Sequence, residues 1–167
     1  LYSSEMNVAT LSHLLMESGL RRGLGAREFI LHYQPLVHIE SGVTIGVEAL
    51  IRWQNPEVGL IPPDQFIHVA EDIGLINPIG DWVLREACRQ VRAWQDAGLP
   101  PLVVAVNVSP LQFRQAGFVD TVANALATSG LDARFLELEL TERTVMNDAE
   151  LNLGTLSALN GMGVELA

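Results

Sequence analysis

The chain has 167 residues and a net charge of −10, and its ten basic residues are all arginines. This acidic balance argues against DNA or RNA binding, which needs basic patches. The single cysteine, Cys88, excludes an internal disulfide and indicates a reducing compartment, so we expect a cytoplasmic protein.

The sequence contains no apolar run near the ~20 residues of a membrane span, and no signal-peptide pattern. Because Leu1 stands at the start in place of Met, we expect a longer parent protein. Such a parent could still be anchored in a membrane through other domains.

The first predicted element is a helix over residues 4–24. Its apolar residues recur at helical spacing, and we expect Gly23 and Gly25 to end it. Two interpretations stay open at this point. The segment is either a linker or partner-contacting helix, or a helix packed on its own domain.

Two strands follow, over residues 28–39 and 43–53, and a turn between them predicts a hairpin. The second strand is apolar but carries Glu48 and Arg52 on one face. Burying an unpaired charge is costly, so each of the two needs a partner. The simpler explanation is a Glu48–Arg52 ion pair, and the other is a metal ion at Glu48 with a bound anion at Arg52.

The rest of the chain predicts alternating helices and strands, which is typical of a parallel sheet with right-handed crossovers. The loop at 55–63 leads into this part. We expect helices over residues 64–74, from Asn77 as the cap to Gly98, 118–129 and 148–160, and strands over residues 102–109, 135–142 and from 164 onward.

Three polar residues lie in or near the ends of these strands: Glu48, Asn107 and Glu139. The carboxyl ends of parallel strands converge on one side of a sheet. Two carboxylates and an amide oxygen form a hard ligand set that suits Mg²⁺, Mn²⁺ or Ca²⁺. Two alternatives remain, namely that Asn107 bonds to nearby backbone and that Glu137 and Glu139 are solvated on an edge strand.

Six segments carry a recognisable pattern in a fixed order along the chain: HYQP (32–35), VEALIRW (47–53), IPPDQFIHVAEDIGLI (61–76), WVLREAC (82–88), VNVS (106–109) and LELELTE (136–142). Together they resemble the EAL domain, the bacterial phosphodiesterase domain that opens cyclic di-GMP to the linear dinucleotide. The implied fold is α/β, a TIM-like (β/α)₈ barrel of the EAL type that is incomplete in this chain. A linker helix is expected over residues 1–27 and the N-terminal part of the barrel over residues 28–167.

The resemblance also implies a site and a mechanism. The chemistry is two-metal hydrolysis with Mg²⁺ or Mn²⁺, and Ca²⁺ is expected to inhibit. Glu142 is implied as a catalytic glutamate that steadies an active-site loop. The other implied residues are Glu48, Asn107 and Glu139 as metal ligands, with Glu48 also catalytic, and Gln34 and Arg52 as substrate contacts, Arg52 gripping a phosphate.

The resemblance also predicts partners, and the chain differs from the family in the segments that it lacks. Residues 2–7 resemble the linker that joins a diguanylate-cyclase-like domain to an EAL domain, so we expect an upstream GGDEF-like or sensory domain and a homodimer. After the strand at Val164 the family continues into Asp-Asp-Phe-Gly and later a lysine, none of which this chain contains. We therefore expect residues 1–167 alone to be inactive. A non-catalytic cyclic di-GMP receptor is the alternative.

Overall fold

The computed structural model describes residues 4–141 and 149–167. None of the described helices is both long and apolar enough to cross a bilayer. The helices are α1 (Ser4–Ala26), α2 (Pro63–Asp72), α3 (Ile76–Asp96), α4 (Pro110–Phe113), α5 (Phe118–Ser129) and α6 (Ala149–Gly161). The strands are β1 (Phe29–Val37), β2 (Thr44–Asn55), β3 (Gly59–Ile61), β4 (Val103–Val108), β5 (Leu136–Leu140) and β6 (Glu165–Leu166).

The strands form one sheet in the order β1-β2-β4-β5-β6, and β3 pairs with β2 off this path. The pairs β2–β4, β4–β5 and β5–β6 are parallel, whereas β3 is antiparallel to β2. The predicted parallel sheet is therefore confirmed. β1 ends the strand order, which suits Pro35, since proline cannot donate a ladder hydrogen bond.

The predicted end of the first helix is wrong. α1 runs through Gly23 and Gly25 and ends at Ala26, and Arg27 then takes a positive φ of 59°. Gly23 is buried. Tertiary packing of the helix overrides the weak helix propensity of glycine.

Two other boundaries differ from the sequence prediction. α3 begins at Ile76, so Asn77 lies in the first turn, and its Oδ1 atom has no hydrogen-bond partner. Asn77 is therefore not the cap. The segment expected to be loop contains β3, whose Ile61 pairs with Trp53. The predicted end of α5 is confirmed, because Gly130 adopts the left-handed conformation with a φ of 70°.

The chain divides into two compact units. The first unit comprises Leu1–Ile30 and Ile51–Ile79, and the second comprises Leu31–Leu50 and Gly80–Ala167. Each has its own apolar core. The largest fully buried side chains of the first unit are Leu20, Trp53, Phe66 and Ile79, and those of the second include Leu84, Val91, Val104, Phe113, Phe118, Leu136, Leu138 and Leu159.

Candidate functional site

The neighbouring strands β2, β4 and β5 bring Glu48, Asn107 and Glu139 together, and all three residues belong to the second unit. Asn107 Nδ2 donates a hydrogen bond of 2.8 Å to Glu48 Oε1. Asn107 lies opposite Glu139 in the β4–β5 register, and Glu48 lies opposite Ala105, two residues before Asn107. Since residues two apart share a face of a strand, all three side chains lie on one face of the sheet.

The sequence of β4 explains why Asn107 is available at this face. Val104, Ala105 and Val106 are buried and hold the strand in the sheet, whereas Asn107 is exposed. Its amide bonds to a carboxylate across the sheet, so the backbone-bonded interpretation does not describe its contact with Glu48. The apolar run thus ends with a polar group directed at the neighbouring strand.

Electrostatics at this face are unfavourable to negative charge. Burial raises the pKa of Glu139, and the charges of Glu48 and then Glu137 raise it further. Burial also raises the pKa of Glu137, with a further contribution from Glu165, its register partner. β5 is paired with strands on both sides, so the edge-strand interpretation of its glutamates is wrong.

The chemistry of this donor set fits a hard divalent cation. Two carboxylates and one amide supply only oxygen ligands, and the mutual repulsion of the carboxylates would be neutralised by a cation. Within residues 4–141 and 149–167, no group of three or more histidine, cysteine, aspartate or glutamate side chains is placed to hold a metal. Glu48, Asn107 and Glu139 do not form such a group, because Asn107 contributes an amide and not a carboxylate. Their role as ligands stays a prediction.

Gln34 lies on the same sheet face as Glu48. The side chain of Leu36 lies 3.6 Å from the Cβ position of Gly46, which places these two residues on a common face. Gln34 and Glu48 are each two residues away from them on β1 and β2, so alternation puts both on that face. Gln34 is exposed there, while Tyr33 points the other way and packs on Trp94 with a centroid distance of 4.9 Å.

Arg52 is half-buried on β2, and its Nη1 atom donates a 2.8 Å hydrogen bond to the backbone oxygen of Ile51. Glu48 accepts from an amide, so neither bond is the Glu48–Arg52 ion pair that the simpler explanation required. Arg52 belongs to the first unit, whereas Glu48 belongs to the second. Glu142 lies outside the described residues.

Sequence reasoning missed the environment of Glu137. The sequence pattern predicts a solvated side chain beside Glu139, whereas in the structure Glu137 is half-buried and burial raises its pKa. The alternation of leucine and glutamate in β5 was visible, but it does not tell a central strand from an edge strand. The pairing with β6 makes the difference.

The family model of the EAL domain matches residues 17–167. The chain belongs to the EAL domain family. The match covers most of the chain and includes the three strands that carry the site. The fold is accordingly α/β of the EAL barrel type, of which this chain carries a part.

Two relatives from Pseudomonas aeruginosa are informative. The bifunctional diguanylate cyclase/cyclic di-GMP phosphodiesterase MucR is 48% identical over 99% of this chain. The cyclic di-GMP phosphodiesterase NbdA is 41% identical over 99% of this chain. This EAL chain spans 24% of the length of MucR and 21% of the length of NbdA.

Solved structures agree with this assignment. The structure described as the PaMucR phosphodiesterase in complex with c-di-GMP superposes with a TM-score of 0.88 and 50% identity, over 91% of this chain and 62% of that one. The FimX EAL domain of Xanthomonas citri, also in complex with c-diGMP, gives 0.84 and 25% identity over 96% of this chain and 62% of that one.

Proposed function

We propose that this protein hydrolyses cyclic di-GMP to the linear dinucleotide with the help of a divalent cation, Mg²⁺ or Mn²⁺. The observation that carries the proposal is the convergence of Glu48, Asn107 and Glu139 on one sheet face, with Asn107 and Glu48 2.8 Å apart. The names of MucR and NbdA and the c-di-GMP complex of the MucR phosphodiesterase support the substrate.

Glu48, Asn107 and Glu139 are proposed to hold the cation. A divalent cation bound there supplies polarisation of the phosphodiester and a lowered pKa for the attacking water. Glu48 and Glu139 provide the negative oxygens, and Asn107 provides a neutral one. The Asn107–Glu48 hydrogen bond fixes the orientation of the Glu48 carboxylate.

Arg52 and Gln34 are proposed to bind the substrate. The planar guanidinium of Arg52 can hold two oxygens of one phosphate at once. Gln34 offers an amide on the exposed face of β1. Glu142 is proposed to steady an active-site loop, as the family resemblance implies.

The wider context is also proposed. Because MucR is named as bifunctional and the chain spans a quarter of it, an upstream GGDEF-like or sensory domain is expected to precede residues 28–167, joined through a linker helix over residues 1–27. A homodimer, a cytoplasmic location and inhibition by Ca²⁺ belong to the same proposal. Residues 1–167 alone are expected to be inactive.

The test replaces Glu48 with glutamine in the protein expressed from its complete gene. Glu48→Gln keeps the shape but removes a charged ligand, so hydrolysis of cyclic di-GMP in Mg²⁺ should fall about 10³-fold, since a metal ion contributes several kcal/mol. The melting temperature without metal should not fall, because one of two like charges is removed.

Glu165→Gln is the matched control. Glu165 is the register partner of Glu137 on the same face but is not a proposed ligand, so its variant should keep wild-type turnover. Wild-type turnover in Glu48→Gln would contradict the ligand assignment. A wild-type protein that binds cyclic di-GMP but leaves it intact in both Mg²⁺ and Mn²⁺ would instead identify a receptor.

A further inference from the structure

The indole ring of Trp53 packs directly against two glycines of α1, Gly19 and Gly23. A Cβ atom at Gly19 would lie 2.7 Å from Trp53 Cη2, and one at Gly23 would lie 2.9 Å from Trp53 Nε1. Real Cβ atoms essentially never approach that closely, so neither position accepts a side chain unless the ring moves. Gly25, in the same helix, has no atom within 4 Å of its Cβ position.

The indole is held from its other sides as well. Its Nε1 atom donates a 2.9 Å hydrogen bond to Glu28 Oε2, and its ring centroid lies 6.1 Å from that of Phe29 and 6.0 Å from that of Phe66. Trp53 is 1% exposed. If α1 shifted or Gly19 gained a methyl group, the indole ring could therefore move only by displacing its neighbours.

The position of Trp53 affects Arg52 through the strand itself. The two residues are neighbours in β2, so their side chains point to opposite faces. When the indole is fixed against α1, the peptide between them is fixed, and with it the direction in which the Arg52 side chain leaves the strand. The Arg52 guanidinium donates a hydrogen bond to the adjacent carbonyl of Ile51, which moves with the same strand.

We propose that Trp53, which packs against Gly19 and Gly23 of α1, is a positioning residue that orients Arg52 toward the substrate phosphate. This inference rests on the proposed function, because it assigns Arg52 to cyclic di-GMP. The influence of α1 on substrate affinity then passes through the surface at Gly19 and Gly23 that contacts Trp53, and residues of α1 away from that contact have no part in it. The ligand residues Glu48, Asn107 and Glu139 are held by the β2–β4–β5 pairing and are unaffected.

The test compares two alanine substitutions in α1 of the protein expressed from its complete gene. Gly19→Ala should raise the KM for cyclic di-GMP, and its Kd in Ca²⁺, about tenfold, because small misplacements of a binding group have effects of that order. The affinity for Mn²⁺ should stay within about twofold, since the ligand residues are held elsewhere. Gly25→Ala, the matched control, should leave KM and Kd unchanged and raise the melting temperature, because alanine favours a helix.

Trp53→Phe completes a double-mutant cycle with Gly19→Ala, since phenylalanine lacks the Cζ2 and Cη2 atoms that the new methyl group would meet. Trp53→Phe alone should raise KM with little change in kcat, and Gly19→Ala should add nothing to it. If Gly19→Ala does not fold, this KM increase in Trp53→Phe carries the test. The proposal is overturned if Gly19→Ala behaves as Gly25→Ala does, or if Trp53→Phe has wild-type KM. A wild-type protein that does not bind cyclic di-GMP would instead refute the proposed function.

Discussion

Glu28 in the first unit and Glu139 in the second show two ways in which a protein holds a shielded carboxylate. The side chain of Glu28 is 12% exposed and accepts hydrogen bonds from Trp53 Nε1 at 2.9 Å and Arg22 Nε at 3.4 Å. Glu139 is half-buried and faces the like charge of Glu48, which contributes to its raised pKa. One charge is compensated by the chain and the other is not.

The comparison distinguishes a charged side chain that stabilises the fold, Glu28, from one that we propose binds a cation, Glu139. A carboxylate with an arginine and an indole N–H as donors stabilises the fold, and its removal should lower stability. A carboxylate that faces another carboxylate does not stabilise the fold by itself, and the proposed cation would neutralise this repulsion. The two glutamates should therefore respond in opposite ways to the same substitution.

The largest effect is expected for Glu139→Gln. Turnover of cyclic di-GMP should fall about 10³-fold, because a charged ligand of the cation is lost. The melting temperature without metal should stay the same or rise, because repulsion from Glu48 is relieved. Steady-state kinetics and thermal unfolding measure both. A melting temperature that falls while turnover survives would reverse the assignment of this glutamate.

A tenfold effect is expected for Arg52→Lys. Lysine keeps the positive charge but loses the planar fork, so KM should rise about tenfold with a smaller change in kcat. Arg21→Lys is the control, since Arg21 forms an exposed pair with Glu17 on α1. An unaltered Kd for cyclic di-GMP in Ca²⁺ would remove Arg52 from the substrate site.

A smaller effect is expected for Glu28→Gln. Glutamine still accepts from Trp53 Nε1 but loses the charge that pairs with Arg22, so the free energy of unfolding should fall by about 1 kcal/mol. Glu57→Gln is the control, because Glu57 is 76% exposed and pairs with the same arginine at 3.7 Å. Denaturant titration of both variants measures the difference, and equal stabilities would mean that Glu28 is not compensated as the contacts indicate.

Cys88 is a buried thiol that carries no charge at neutral pH. Its ionisation changes the stability of the protein only at alkaline pH. Burial raises the pKa of the Cys88 thiol to about 12 from 9.0. The unfolded thiol ionises first, so the contribution of Cys88 to stability is full below pH 9 and is lost as the pH rises from 9 toward 12. Thermal unfolding of the wild type and Cys88→Ala at pH 8 and pH 10 should show a steeper loss in the wild type. Parallel losses would contradict a shielded thiol.

The sequence predicted most of the elements because their patterns are local. The bounds predicted for the strands that carry Glu48, Asn107 and Glu139 differ from the observed bounds by one or two residues, since short apolar runs between turns are typical of buried strands. The register was not predictable. Nothing in the local pattern says that Asn107 stands opposite Glu139 rather than its neighbour.

Long-range packing explains the features that sequence reasoning missed. Gly23 and Gly25 look alike as helix terminators, yet Gly23 lies against Trp53, thirty residues away, and Gly25 meets nothing. The three-residue strand β3 has no periodicity of its own and exists through its pairing with β2. In both cases the deciding contact joins segments that are distant in the chain.

Direct titration with Mn²⁺ in the absence of substrate tests the central claim, that the uncompensated carboxylates hold a divalent cation. The wild-type protein should bind Mn²⁺, and Glu48→Gln and Glu139→Gln should each weaken binding by at least about 100-fold, more than the loss typical of groups that only orient a ligand. Glu28→Gln should bind as the wild type does. Equal Mn²⁺ affinity in Glu48→Gln, Glu139→Gln and the wild type would contradict the account.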